Sequence, residues 1–432
     1  MTNKNPLGFW SVVAIGIGGM VGGGIFAVLG LAVQLGRGGT PVGFLIAGII
    51  ALITSYSYAR LSVRYPSRGG TVEFLNQAFG SGLITGGLNI LLWLSYIVML
   101  SLYAYAFGSY GLTLFPHTYQ TLFLKHVLIS FIVLSLMGLN IFGSNIVGKF
   151  EEWIVVFKVL ILLLFIGVGI WTVHGDSLKP SSWASPLWLV TGGMIIFLAY
   201  EGFELIANTA GDVKNLQRTL PRAYYFSIII VIALYILVSV VTVGNLSVDT
   251  IVASRDYALA VSAEPFLGST GFTLIAIAAL LSTGSAINAT FYGASRISYI
   301  IAKDGELPEI LEHKVWNRPI EGLLITAMLT LFVANLFDLS SIAMMGSAGF
   351  LLIFASVNMA NAKLYSETES RRWLAILGVV ICFIALGALI FQRFMTSPRG
   401  LLVFLAMLVL AFGGEAIYRM ITGRELRSLI GK

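Results

Sequence analysis

Residues 14–30 read AIGIGGMVGGGIFAVLG, a cluster of glycines set inside an apolar run near the N-terminus. Glycine costs about 1 kcal/mol per position in a helix interior relative to alanine. A segment apolar enough to cross a membrane is therefore weakened at its middle, and the fold turns on why. Backbone at membrane depth must satisfy its own hydrogen bonds unless it lines a cavity or is covered by protein. A break leaves free carbonyls at the end of one half-helix and free amides at the start of the next. The carbonyl end carries negative partial charge and the amide end positive. The spacing predicts a first half ending near Gly18 to Met20 and a second starting near Gly23, Gly24 and Ile25. A zwitterion fits such a site, carboxylate on the amides and ammonium on the carbonyls. The competing use of these glycines is close helix packing, for which Gly18 and Gly22 have the GxxxG spacing. Three consecutive glycines, Gly22 to Gly24, exceed what packing needs. A dinucleotide fingerprint fits poorly, because no strand precedes the glycines and no βαβ unit surrounds them.

The rest of the composition agrees with a membrane setting. Of the 432 residues, 57% are hydrophobic and 11% charged, against roughly 25% charged in soluble proteins, and the mean hydropathy is +0.91. Such a chain cannot cover its surface with charge, so most of that surface faces lipid. Cys382 is the single cysteine, which leaves no disulfide framework or thiolate metal site. The four histidines, His117, His126, His174 and His313, are placed in loops, and no HExxH motif occurs. Neither a cofactor nor a metal is expected. The basic residues are spread between apolar runs rather than clustered, which argues against nucleic acid.

Runs of about 20 apolar residues suffice to cross a bilayer. About twelve are read, at roughly 9–33, 41–63, 83–113, 126–145, 151–173, 187–208, 222–244, 267–300, 320–337, 341–361, 373–392 and 399–420. The first is not a cleaved signal, lacking a strongly basic start and a small-residue cleavage site. Nineteen basic residues fall on one side of this layout and six on the other, with Lys158 left inside a span. The positive-inside bias then predicts cytoplasmic N- and C-termini. The sixth span, GGMIIFLAYEGFELIANTAGDVKN, is broken like the first. Its carbonyls are expected near Leu198 and Glu201, with the next half opening at Gly202. The third and eighth spans are both unusually long, and each broken helix opens a run of five. Five is odd, so the second run is inverted relative to the first. Interrupted segments at corresponding positions of two halves point to a transporter's binding site.

At this point the residues carry a resemblance. GIGGMVGGGIF (16–26) resembles the first-helix signature of the amino acid–polyamine–organocation (APC) superfamily. FLAYEGFELIANTAGDVKNLQRTLPRA (197–223) is similar to its sixth helix and following loop, and SRISYIIAKDGELPE (295–309) to its segment after the eighth helix. The resemblance implies an all-α integral membrane protein of one transmembrane domain, 1–432. Inverted repeats are expected at about 9–173 and 187–361, with extra helices at about 373–420. It implies alternating access to a central site where the backbone of Gly23 and Gly24 meets the substrate carboxylate. The carbonyls of Met20, Leu198 and Glu201 would take its amino group. Gly211 and Leu216 stand where the family usually has a carboxylate and a proline; a cytoplasmic salt bridge is then expected to pass to Asp212.

Lys158, in EEWIVVFKVLILLLF, lies roughly 9 Å beyond Glu152 at 1.5 Å per residue. An ammonium at that depth is costly, and shedding its proton relieves the cost. The bland alternative is snorkelling to the interface. Some members resembling this chain have a lysine at the matching place. The resemblance gives it the carbonyl of Gly18 and a hydroxyl of Ser282 or Thr283 as partners, a candidate proton-linked gate. Glu204 matches a family acidic position and is a candidate for proton movement. Glu201 is a candidate for side-chain preference, and either carboxylate could simply accept amides freed by the break. Trp93, Tyr96, Tyr200 and Asn288 are further candidates for the pocket. The resulting expectation is a secondary transporter of amino acids in the plasma (inner) membrane, with protons as coupling partner and no sodium. An amino acid/polyamine exchanger of the same fold is the alternative. A channel would favour carbonyl or charged rings along a pore, and no nucleophile–base set suggests an enzyme.

Overall fold

A computed structural model of the chain describes residues 6–142, 147–303, 305, 320–396 and 398–422. Residues 306–309 of the third motif, His313, and the basic residues Lys4, Lys314, Arg318, Arg424, Arg427 and Lys432 lie outside these. Among the described residues the structure is helical, without a β-sheet; two isolated bridges, Leu7 with Val213 and Arg37 with Trp183, are the extended pairings present.

The first expected span is two helices, α1 (Phe9–Met20) and α2 (Gly24–Gly36), bent by 44° at their break. Then come α3 (Thr40–Arg64), a short amphipathic α4 (Thr71–Phe79), α5 (Leu83–Leu112), α6 (Leu122–Phe142) and α7 (Val147–Gly169). The second broken span starts as α8 (Pro186–Ile196) and is followed by α9 (Leu216–Asn245). A short α10 (Val248–Ala253) precedes the long α11 (Ala258–Lys303), which is kinked at Gly268 (φ 62°). The chain ends in α12 (Ile320–Leu336), α13 (Leu339–Lys363), α14 (Arg372–Thr396), α15 (Pro398–Leu408) and α16 (Gly414–Thr422). Among the described residues ten helical stretches are long and apolar enough to cross a membrane, and the bent α1–α2 pair makes an eleventh. The remaining expected span, the ninth in order at 320–337, is α12, shorter at 17 residues, or about 25 Å.

The helices that expose large apolar side chains, such as Phe131 on α6, Ile384 on α14 and Leu402 on α15, have the surface a lipid-facing helix needs. The segments carrying the breaks are instead wrapped by neighbours: Met20, Ile25, Phe26, Leu198 and Tyr200 are all fully buried. One expectation is corrected here. His126 is not in a loop, because α6 begins four residues earlier at Leu122; its Nδ1 meets Asn335 Oδ1 on α12 at 2.8 Å.

Candidate functional site

At the first break, α1 closes with Val21 N–H donating to Ile17 O (2.8 Å) and Gly22 N–H to Gly19 O (3.2 Å). The residue preceding α2 is Gly23, which has no side chain to cap it. The first amides of α2, Gly24, Ile25 and Phe26, have no intrahelical acceptor. The carbonyl side is finished differently, by donors from three other helices. Lys158 Nζ on α7 donates to Gly18 O at 2.8 Å. Tyr235 OH on α9 donates to Met20 O at 2.6 Å, and Ser282 Oγ on α11 to Val21 O at 2.8 Å and to Gly22 O. Negative partial charge at the end of α1 accounts for this collection of donors.

At the second break α8 ends at Ile196, a 3₁₀ turn covers Phe197–Tyr200, Glu201 is extended and Gly202 has φ +115°. That φ is reserved for glycine. It also brings backbone against backbone: a Cβ on Gly19 would lie 2.7 Å from Gly202 O, and one on Gly202 would strike the Gly19–Met20 peptide. Here the chain caps itself, since Glu204 Oε2 accepts the Gly202 N–H at 2.7 Å and Oε1 accepts Tyr96 OH at 3.2 Å. The second half does not open as an α-helix but runs as a 3₁₀ helix over Phe203–Asp212. Such runs seldom exceed about four residues. Ile206, Asn208, Thr209, Gly211 and Asp212 favour the α-helix weakly, and Thr209 Oγ1 bonds back to Ile206 O at 2.8 Å. Tyr235 OH also donates to Ala199 O at 3.0 Å, so one hydroxyl ties the two breaks together.

A small cavity lies where the breaks meet, walled by Gly18 and Gly19, by Glu201 and Gly202, by Tyr103, and by Ser285 and Thr290 of α11. Glu201 and Glu204 are 3% and 1% exposed. Glu204 and Tyr103 are the ionisable neighbours of the Glu201 carboxyl. Lys158 is fully buried rather than snorkelling. Of the two hydroxyls considered for it, Ser282 is turned to the first break, whereas Thr283 donates within its own helix to Ala279 O at 2.7 Å.

The glycines also pack. A Cβ on Gly23 would strike the Tyr103 ring, and one on Gly24 would lie 2.7 Å from Ala199 Cα. Met20 O and Leu198 O, both candidate acceptors for an ammonium, already accept Tyr235 OH and Glu201 N–H (3.2 Å). Each therefore has its second lone pair to offer. Of the aromatic and amide candidates only Tyr96 touches this site. Tyr200 OH donates to Phe44 O (2.8 Å), Trp93 Nε1 to Thr326 (3.0 Å), and Asn288 Oδ1 accepts from Asn140 (2.8 Å). Tyr103 and Tyr235 were not read from the sequence. Tyr103 lies seven residues after Tyr96, on the same helix face, a signal that was there to be read. Tyr235 had none.

At one end of the bundle Asp212 pairs with Arg68 at 2.9 Å. The hydrogen bond Arg68 donates to Asp212 and the charge of that carboxylate hold the guanidinium above its ordinary pKa. Gly211, next to Asp212, meets open space beyond its Cα. At the other end Lys125 Nζ meets Asp256 Oδ2 at 3.0 Å, Tyr105 OH donates to the same oxygen at 3.1 Å, and the ammonium sits 3.6 Å from the Tyr105 ring centre.

Residues 7–412 match the model of the amino acid permease family. The chain is 36% identical to an uncharacterized protein of Methanocaldococcus jannaschii, over 98% of this chain and 97% of that one. It is 33% identical to the inner membrane transport protein YbaT of Escherichia coli, over 94% and 95%. A branched-chain amino acid permease of Bacillus subtilis is 24% identical over 83% of this chain and 80% of its own.

Proposed function

The chain belongs to the amino acid permease family, whose members are transporters rather than enzymes, and from that premise we propose proton-coupled, sodium-independent secondary transport of amino acids by alternating access. The observation that carries this reading is the meeting of two helix breaks at one buried cavity. At the first of these breaks the amides of α2 lack a side-chain cap and the carbonyls of α1 are already drawn to donors. The substrate carboxylate goes to the Gly23 and Gly24 amides, where helix-end charge favours it, and its ammonium to the carbonyls of Met20, Leu198 and Glu201. Lys158 supplies the coupling: charged, it ties α7 to Gly18 O; neutral, it loses most of that tie and α1 is freed to move. Arg68–Asp212 and Lys125–Asp256 close the two ends in turn. The halves 9–173 and 187–361 act as inverted repeats, with both termini on the cytoplasmic side of the plasma membrane.

The test is uptake of a panel of labelled amino acids by proteoliposomes. An inward proton gradient should drive saturable accumulation in sodium-free buffer. Accumulation that depends on sodium would discard the proton reading, and uptake only into vesicles preloaded with a second amino acid would favour exchange. Single-channel currents in a bilayer would remove the carrier reading altogether.

A further inference from the structure

The Glu201 side chain is unexplained by a site that uses only its backbone carbonyl. Burying a carboxyl is expensive unless it is paired, and this one is 3% exposed at the wall of the central cavity. Its neighbour Glu204 is fully used: Oε2 accepts from Gly202 N–H and Oε1 from Tyr96 OH. Two accepted donors favour the ionised form of Glu204. A proton taken up by the two neighbouring carboxyls is therefore held better by Glu201 than by Glu204. The other ionisable groups around it are phenols, Tyr58 on α3, Tyr96 and Tyr103 on α5 and Tyr224 on α9. Lys158 does not line the cavity; it donates to the carbonyl of Gly18, which does. The opening beside Glu201 is bordered by Ser285 and Thr290, whose hydroxyls can accept as well as donate. The Glu201 carboxyl at the cavity wall, backed by Glu204 and set among acceptor-bearing hydroxyls, is a place for a cation.

We propose that the Glu201–Glu204 pair is a side-chain subsite that selects amino acids bearing a second, cationic amine. The proposal rests on the reading of the central cavity as the transport site. The substrate ammonium and the proton held by Glu201 are alternative cations for one pair. Binding a cationic side chain therefore disfavours protonation of the pair, and affinity for such substrates rises with pH. A neutral side chain of the same shape does not compete with the proton.

The test compares isosteres on the full-length protein in nanodiscs. Ornithine and norleucine differ in a terminal ammonium against a methyl group, and 2,4-diaminobutyrate and norvaline repeat the comparison one carbon shorter. Binding is measured by equilibrium titration between pH 6 and pH 8. The diamino acid of at least one pair should bind more tightly than its isostere, with an advantage that grows as pH rises. Glu201→Gln, which keeps the side-chain shape and a donor toward Glu204, should cut diamino acid affinity by about tenfold or more, the size of one charge-assisted hydrogen bond. Norleucine and norvaline should lose less than the diamino acids do, so that the discrimination between isosteres falls. Wild-type protein that binds the neutral members but neither diamino acid overturns the proposal, as does a Glu201→Gln variant that keeps the discrimination. Wild-type protein that binds no amino acid overturns the transport-site reading and this proposal with it.

Discussion

At the first helix break the carbonyls of α1 are covered by donors from α7, α9 and α11, while the amides of α2 have only glycine before them. At the second, the chain supplies its own acceptor, Glu204, two residues beyond the Gly202 amide it caps. Both breaks solve the same problem of unpaired backbone in a low-dielectric setting. They differ in where the partner of the amide end comes from, since the carbonyls of both breaks take donors from other helices, Tyr235 serving Ala199 O as well as Met20 O. A break finished by its own side chain is a fixed feature, whereas one finished by other helices changes its partners whenever those helices move. On the proposed transport reading, that argument assigns movement and ligand contact to the first break and a rigid opposing surface to the second.

The largest way to break this comparison is to remove the close approach between the two. Gly202→Ala demands a left-handed φ from an L-residue, about 1–2 kcal/mol, and drives a methyl into the Gly19–Met20 peptide. Backbone cannot yield as a side-chain tip can, so we expect a total near 3 kcal/mol or more. The readout is loss of the monodisperse peak in size-exclusion chromatography, or a fall in Tm of several degrees. An alanine tolerated at this position would mean the breaks do not meet as described.

Gly23 is a sharper probe of the first break. Alanine there collides with the Tyr103 ring, so a loss of binding by itself does not separate packing from ligand contact. Gly23→Ala with Tyr103→Leu relieves the collision. If the Gly23 amide holds the substrate carboxylate, the double variant should regain stability over Gly23→Ala but remain about tenfold or more weaker in binding. Full recovery of affinity would make these glycines packing residues, the competing reading of their spacing.

The sequence made the first break legible nearly to the residue, because consecutive glycines weaken a helix far beyond what close packing asks of an apolar run. Lys158 and Gly18 were paired through family resemblance, and the 2.8 Å contact agrees with that pairing. The winding of the second half-helix was not legible. Hydropathy marks a span but not its winding, and the 3₁₀ form of Phe203–Asp212 depends on a cap at Gly202 that only the folded backbone brings to Glu204. Ser282 and Thr283 were expected as partners of Lys158; the bonds Ser282 makes instead, to Val21 O and Gly22 O, depend on helix rotation and were not legible. Tyr235 was invisible, since its hydroxyl reaches Met20 and Ala199 from a helix with no other sign of function.

Lys158→Ala asks how much of the first break's mobility one donor controls. The Gly18–Lys158 bond is charge-assisted and worth about 1.5–3 kcal/mol. Moving an equilibrium from mostly one state to mostly the other takes about 5 kcal/mol, so Lys158 does not throw the switch without help from the substrate. We expect substrate affinity within about threefold of wild type and uptake that no longer varies between pH 5 and pH 8. A variant with wild-type pH dependence would reduce Lys158 to a packing residue and pass the coupling role to the Glu201–Glu204 pair.

The smallest effect is expected at Ser282, and it separates two hydroxyls that stand side by side. Ser282 reaches across to Val21 O and Gly22 O, between helices, while Thr283 spends its proton on Ala279 O in its own turn. Removing the first leaves two carbonyls at the break short of a donor. The cavity alongside can admit water to them, so Ser282→Ala should cost about 1 kcal/mol rather than the full penalty of a buried orphan. Thr283→Val removes only a back-bond that a helix does not need, and its Tm should stay within about a degree of wild type. The conformational readout is the labelling rate of a cysteine introduced at Gly211, which faces open space. The native Cys382 is buried and gives little background. Ser282→Ala should change that rate, because the tie it cuts joins α11 to the moving break, and Thr283→Val should not. Equal effects from the two would mean that α11 does not hold the first break, and the contrast between a break fixed by its own chain and one held by its neighbours would fall.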